Sequence, residues 1–404
     1  MPRNNTESMK KLLIVIGLML GIVNANAQGL EHCEPAEVGL DASQLLYADS
    51  AINKAIAEKD APGAVLCVVR HGKIAYLKAY GNKRVYPKVE KMTTETVFDM
   101  ASCSKAMSTA ISAWVLIEQG KLRLLDRVDK FIPGFENWKD SAGNVTSIRV
   151  VDLMTHVSGL PPYADINKVK EKYGAPNRDG LIDYISHCKR DFEPTTDFQY
   201  SCINYITLQR IIETISGESL DVFAKKHIFD VLGMRHTAYT PSPALAKQCA
   251  PTEKQADGKC LQGVVHDPLA RIINGGISGN AGVFSTAEDI AILCAALQNG
   301  GTWNGHRILS AAAVKAMRTV PRRAAKFGRT PGWDCHSDYA SNNGDMLSPA
   351  TYGHTGFTGT SIVIDPVNDV SVILLTNSVH PDGKGNVIAL RSYVANAVAS
   401  SIIK

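Results

Sequence analysis

Two strand-like apolar runs stand near opposite ends of this 404-residue chain, and their separation limits the fold more than any other feature. Gly63-Ala-Val-Leu-Cys-Val-Val-Arg70 is short and rich in β-branched residues, as a buried strand should be. His71-Gly72 reads as a tight turn and Lys73 to Tyr80 as the returning strand. Far downstream, Gly359 to Pro366 and Val370 to Asn377 alternate like two more strands. Between them the signals are helical. Asp41 can cap a helix running to about Glu58, with Leu45, Leu46, Ile52 and Ile56 on one face. Ser102 to Gln119 reads as a long apolar helix stopped by Gly120. Val283 to Asn299 holds another, capped by Ser285 or Thr286, and Ile388 to Ile403 a closing one. The stretch from about 125 to 270 mixes helix signals, loops and prolines. The pattern predicts an α+β fold whose sheet-bearing lobe comes from about 28–125 and 270–404. A mainly helical lobe, about 126–269, is inserted between them.

Residues 1–27 read as a signal peptide rather than as part of that fold. Lys10-Lys11 is a basic start and Leu12 to Val23 an apolar run too short for a comfortable membrane span. Ala25-Asn26-Ala27 has the small-x-small form of a cleavage site. The expectation is a mature chain starting at Gln28 in a bacterial periplasm or outside the cell. No later run approaches about 20 apolar residues, so no stable membrane span is expected. Formal charge is +4, or +2 without Arg3, Lys10, Lys11 and Glu7. With no long basic run, nucleic acid is excluded as a partner. No His-Glu-x-x-His or paired Cys/His spacing occurs, so neither a metal nor a cofactor is expected. All nine cysteines follow the signal segment. Cys249 and Cys260 flank a polar loop they could close as a disulfide, while Cys67, Cys188 and Cys294 read as small buried hydrophobes.

Chemistry enters at Ser102-Cys103-Ser104-Lys105. A serine and a lysine three residues apart share one face of a helix. Burial would lower the lysine's pKa and let the neutral amine accept the seryl proton. The same spacing recurs at Ser8–Lys11, Ser186–Lys189 and Ser401–Lys404, but only Ser102 opens a long apolar helix directly after a strand-like Val97-Phe98-Asp99-Met100. Alone, Ser102 reads first as a plain helix cap. Tyr200, just before a helix running to about Ile215, offers a phenol that can relay a proton. Gly353-His354-Thr355-Gly356-Phe357 precedes the strand from Thr360. Its glycines allow close backbone approach, so the Phe357 N–H can join that of Ser102 as an oxyanion donor.

These segments together resemble the serine β-lactamase and penicillin-binding-protein superfamily, nearest the class C β-lactamase branch with its esterase and DD-peptidase relatives. The resemblance rests on Phe98-x-x-x-Ser102-x-x-Lys105, Tyr200-Ser201 and His354-Thr355-Gly356, in that order. Asp152 to Pro161, Leu232-Gly233-Met234 and Gly282 to Asp289 agree, and the match runs from about residue 40 to 400. It implies an antiparallel sheet flanked by helices, a helical lobe, and an active site in the cleft between. It also implies that Ser102 is the acylated nucleophile, Lys105 its proton acceptor and Tyr200 the group that protonates the leaving group. His354 and Thr355 would take the place of the family's Lys/His and Thr, with Gly356 and Phe357 at the oxyanion position. The chain departs from the family in two places. Cys202 stands where the third residue of Tyr-x-Asn would bind an acyl-amide, and His354 stands where lysine is usual. Both lean away from β-lactams and toward ester or related acyl substrates.

The implied activity is hydrolysis of a small acyl substrate (ester, lactam or peptide) through an acyl-enzyme, with transfer to an alcohol open. A non-catalytic acyl or cell-wall-peptide sensor is the other class, disfavoured because a binder needs no Lys105 and Tyr200 together. An α/β-hydrolase would need Gly-x-Ser-x-Gly, which is absent. Among weaker positions, Gly275 to Gly282 reads as a cleft lining or a close-packed loop. His266-Asp267 reads as a solvated turn rather than a rim pair, His156 as structural, and Trp333 as core rather than lid.

Overall fold

The computed structural model describes residues 29–340 and 342–403, so the expected signal peptide and its cleavage point lie outside the described residues. Six strands form one antiparallel sheet: β1 (Gly63–Arg70), β2 (Lys73–Arg84), β3 (Glu90–Lys91), β4 (Tyr352–Thr355), β5 (Ser361–Asp365) and β6 (Val370–Thr376). Their order is β4-β5-β6-β1-β2-β3. The two ends of the chain meet where β6 pairs with β1, from Ala64 opposite Thr376 to Arg70 opposite Val370. The α+β architecture read from the sequence is therefore the one observed.

β1 is buried along its whole length. Val65, Cys67 and Val69 enter one core, while Ala64, Leu66 and Val68 enter the other. Burial on both faces explains why the run is unbroken rather than alternating. Each such large side chain contributes about 1.5–3 kcal/mol on burial. One face is covered by α1 (Ala42–Ala57) and α5 (Ile388–Ser400), the other by α4 (Ala287–Gln298). Asp41 caps α1 by accepting from the Ser43 N–H at 2.8 Å, a contact worth about 1 kcal/mol. The buried stripe of α1 is Leu45, Ala48, Ile52 and Ala55. Leu46, expected on that face, points to solvent.

Between residues 126 and 269 the chain is dominated by helices, including Val150–Met154, Ile166–Tyr173, Arg178–His187 and α3 (Cys202–Ser216). α3 packs on the segment that follows Ser102. That segment departs from expectation. Lys105–Ala110 is wound as a π-helix, and only Ile111–Glu118, α2, is regular. Wide turns of this kind cluster at functional sites. A second departure concerns His354 and Thr355, which belong to the edge strand β4 rather than to a loop before a strand. Four residues containing Gly and His carry too little apolar signal to read as a strand. The disulfide between Cys249 and Cys260 is also absent, and all nine cysteines are free thiols. Cys249 is buried, whereas Cys260 sits in a backbone bridge to Lys254.

Candidate active site

Ser102 lies in a turn between the two-residue strand Phe98–Asp99 and the π-helix. Ala101 holds a left-handed φ of 44°, a strain of about 1–3 kcal/mol that persists only where surroundings enforce it. The buried Asp99 supplies the enforcement. Its Oδ1 accepts from the Ala101 N–H at 2.9 Å and its Oδ2 from the His266 N–H at 2.7 Å. Sequence reading passed over Asp99 because nothing local marks a strand carboxylate as a turn clamp.

The Lys105 Nζ donates to Ser102 Oγ at 3.0 Å, to the Asn280 carbonyl at 2.9 Å and to Cys202 Sγ at 3.6 Å. The Tyr200 ring lies against the same ammonium, its centre 5.0 Å from Lys105 Nζ. Three acceptors match the three N–H bonds of an ammonium. Burial alone would push Lys105 down. The electrostatic influence of Cys202, then of Tyr200 and Asp267, outweighs it, and Lys105 is held above its ordinary range. This corrects the expectation of a neutral amine: the resting lysine keeps its proton. Tyr200 is held above its ordinary range: burial pushes it up, and the charges of Lys105 and Arg329 pull it only partly back.

The expected oxyanion position has the donors free. Neither the Ser102 N–H nor the Phe357 N–H donates a hydrogen bond among the described residues. The loop from Gly356 to Thr360 is pinned on both sides. Thr358 and Thr360 donate to the Asp99 and Met100 carbonyls at 2.7 and 3.1 Å, and Arg391 donates to the Gly356 carbonyl at 2.8 Å. A Cβ on Gly356 would lie 2.1 Å from Thr360 Oγ1 and 2.6 Å from the Met100 carbonyl, so only glycine allows this approach. Two free amides, one on the Ser102 turn and one on the pinned loop, are what a developing oxyanion needs.

His354 is buried and kept neutral, its pKa lowered by burial and then by the charges of Arg329 and Lys105. Nδ1 lies 2.9 Å from the Thr355 carbonyl and so carries the proton, leaving the unpartnered Nε2 as a bare acceptor. Such a ring cannot attract a carboxylate. A residue the sequence reading missed can. Arg329 is buried, donates to Asp334 Oδ2 at 2.6 Å, and leaves its Nε and one terminal nitrogen without partners. It lies on a turn pinned to β4, where Asp334 and Gly353 exchange both backbone hydrogen bonds. No local motif marks it.

A cleft of about 980 Å³ gathers Ser102, Tyr200, Cys202, His354, Thr355, Gly356, Phe357 and Arg329. Every residue of the expected catalytic and oxyanion set, apart from Lys105 buried behind Ser102, therefore lines one cavity. His266 and Asp267 line it too and are not the solvated turn expected. His266 bonds Glu253 at 3.1 Å and stacks under Phe357. Tyr339, not singled out beforehand, stacks on Tyr200 with ring centres 4.9 Å apart. Gly275 to Gly282 is both close-packed and functional in position. A Cβ at Gly279 would strike the Tyr205 carbonyl at 2.0 Å, and Asn280 anchors Lys105. His156 accepts from the Ser201 N–H at 3.1 Å, a structural role, and Trp333 is core. Among the described residues no group of side chains could hold a metal ion.

The Beta-lactamase family model matches residues 48–395. The chain belongs to the Beta-lactamase family. Within it, a protein of Escherichia coli (strain K12) named "Putative D-alanyl-D-alanine carboxypeptidase" is 30% identical over 400 residues, covering 92% of each chain. The N-acetylmuramyl-L-alanine amidase of Bacillus subtilis (strain 168) is 34% identical over 347 residues, covering 79% of this chain and 78% of its own. EstCE1, described as a hydrolase with promiscuous acyltransferase activity, superposes with a TM-score of 0.70 at 23% identity. That likeness covers 88% of this Beta-lactamase family chain and 99% of EstCE1, and it concerns the fold.

Proposed function

We propose that this chain is a serine hydrolase that works through an acyl-enzyme on Ser102, with small ester or related acyl compounds as substrates. The observation that carries the reading is the meeting of Ser102 Oγ, Lys105 Nζ and the Tyr200 phenol beside two unoccupied amide N–H groups. Ser102 Oγ attacks the carbonyl carbon while its proton passes to the phenolate form of Tyr200, which burial disfavours and the charges of Lys105 and Arg329 favour. The oxyanion is held by the Ser102 and Phe357 amides. Tyr200 then protonates the leaving alcohol or amine as its bond to the carbonyl breaks. Water repeats the sequence and frees the acid, and an alcohol in place of water would make the reaction a transfer.

A second reading, D-alanyl-D-alanine carboxypeptidase, gains support from Arg329, whose uncommitted N–H groups suit a peptide's terminal carboxylate. The printed name of the Escherichia coli relative points the same way. Export to the periplasm or beyond belongs to this proposal, resting on the basic and apolar start of the sequence. Among the described residues no helix is long and apolar enough to cross a membrane.

Steady-state hydrolysis of a short p-nitrophenyl ester by wild type and Ser102→Ala tests the proposal. Loss of at least 10³-fold in kcat/KM in a folded variant is expected, and retained activity would overturn it.

A further inference from the structure

Asp267 stands in the cleft wall with one oxygen committed and the other not. Its Oδ1 accepts from the Tyr163 hydroxyl at 3.0 Å and from the Ala270 N–H at 2.8 Å. Tyr163 is itself fixed, accepting from the Leu269 N–H at 2.8 Å. The carboxylate is thus oriented by groups that use only one of its oxygens. Oδ2 accepts no hydrogen bond among the described residues. The nearby Arg271 does not neutralise it by contact, because its guanidinium donates to the Val265 and His266 carbonyls. Asp267 is also close enough to the reacting centre for its charge to raise both Lys105 and Cys202.

The cleft carries charges of opposite sign on Arg329 and Asp267, both of which line it. Arg329 lies against the Tyr200 ring, with its guanidinium carbon 5.7 Å from the ring centre. Tyr200 protonates the departing group in the proposed mechanism, so Arg329 is assigned to the leaving portion of a substrate. Asp267 lines the same cavity near enough to Cys202 for its charge to be felt there. Cys202 holds the position from which the family resemblance implies contact with the acyl portion, so Asp267 is assigned to the portion that stays on Ser102. An oriented carboxylate with a spare oxygen accepts hydrogen bonds and attracts positive charge. Cys202 beside it is a weak donor and offers little to an acyl-amide carbonyl.

Building on the acyl-enzyme reading, we propose that Asp267 binds a cationic amine in the acyl portion of the substrate, so that free α-amino acyl compounds are preferred over their N-acylated forms. The bond made to Ser102 and the bond broken are those already described. Asp267 contributes an ion pair to the substrate ammonium and takes no proton.

The test compares D- and L-alanine p-nitroanilide with their N-acetyl counterparts at pH 7, using wild type, Asp267→Asn and Ser102→Ala. Asparagine keeps an oxygen for Tyr163 and Ala270 while removing the charge. Wild type is expected to favour one free-amine compound at least tenfold in kcat/KM. In Asp267→Asn that ratio should fall at least tenfold, mainly through KM. Asp267→Ser gives the same comparison if the asparagine variant does not fold, and the wild-type preference alone decides if neither does. A wild-type preference for the acetylated compounds, turnover of none of the four, or a ratio unmoved in the variants would overturn the proposal. Activity surviving in Ser102→Ala would instead remove the acyl-enzyme reading beneath it. Loss in Ser102→Ala with an unmoved ratio in Asp267→Asn sinks only the amine site.

Discussion

Arg329 and Tyr200 are neighbours in the cleft, the guanidinium carbon 5.7 Å from the phenol ring's centre. The cation does two jobs from that position. Its charge opposes the burial that raises Tyr200, and two of its buried nitrogens lack partners in a residue that lines the cleft. Arg329→Lys keeps the charge but loses the planar fork. For substrates ending in a carboxylate, such as D-Ala-D-Ala peptides, kcat/KM relative to that for an uncharged ester should fall at least tenfold. A ratio that does not move in steady-state assays of the two substrates would refute this role.

Cys202 occupies the position from which an amide side chain would reach the acyl group. Its thiol instead sits 3.6 Å from Lys105 Nζ. Cys202→Asn should restore a strong donor and shift the ester-to-nitrocefin rate ratio toward the β-lactam by about tenfold. Side-by-side rates with the two substrates check this, and an unchanged ratio contradicts it.

Gly356→Ala should cost activity far beyond its size. The added carbon meets Thr360 Oγ1 and the Met100 carbonyl, so the Phe357 amide must move. Losing one oxyanion donor typically costs about 10²–10³ in kcat. We expect that loss with an unaltered far-ultraviolet circular dichroism spectrum. A variant with normal kcat would show that the Phe357 amide is not used.

The buried histidines make acid stability predictable in sign. His354 and His156 are both held well below 6.5, first by burial and then by Arg329 and Lys105. Below their unfolded value near 6.5 the unfolded chain binds more protons than the folded one. Stability is therefore present above that pH and lost as pH falls, by up to about 1.4 kcal/mol per pH unit for each histidine. Urea unfolding between pH 7.5 and 5 should show the decline, with a shallower slope in His354→Gln. Because His354 stays neutral, kcat/KM should show no inflection near pH 6.5 that this variant removes.

Much of the fold was legible because burial writes itself into sequence. β1 is apolar throughout since both of its faces are covered, and the caps at Asp41 and Thr286 sit where oxygen side chains precede apolar helices. Ser102, Lys105 and Tyr200 could be grouped from sequence only because their segments together resemble a known family, since the Ser–Lys spacing alone recurs three more times. Asp99, Asp267 and Arg329 were not. Each acts through long-range placement, Arg329 by a turn pinned to β4 and Asp99 by bonds to His266, far away in the chain. The charge of Lys105 was misread for the same reason. Burial can be inferred from an apolar segment, but the acceptors at Asn280, Cys202 and Ser102 that hold the ammonium are gathered only by folding.

Intact-mass spectrometry of acid-quenched protein after brief mixing with p-nitrophenyl butyrate is the most direct test of the central claim. The account predicts a single butyryl addition, mapped to Ser102 by peptide analysis and absent from Ser102→Ala. Butyrylation at another residue, or an equal addition to Ser102→Ala, would contradict it.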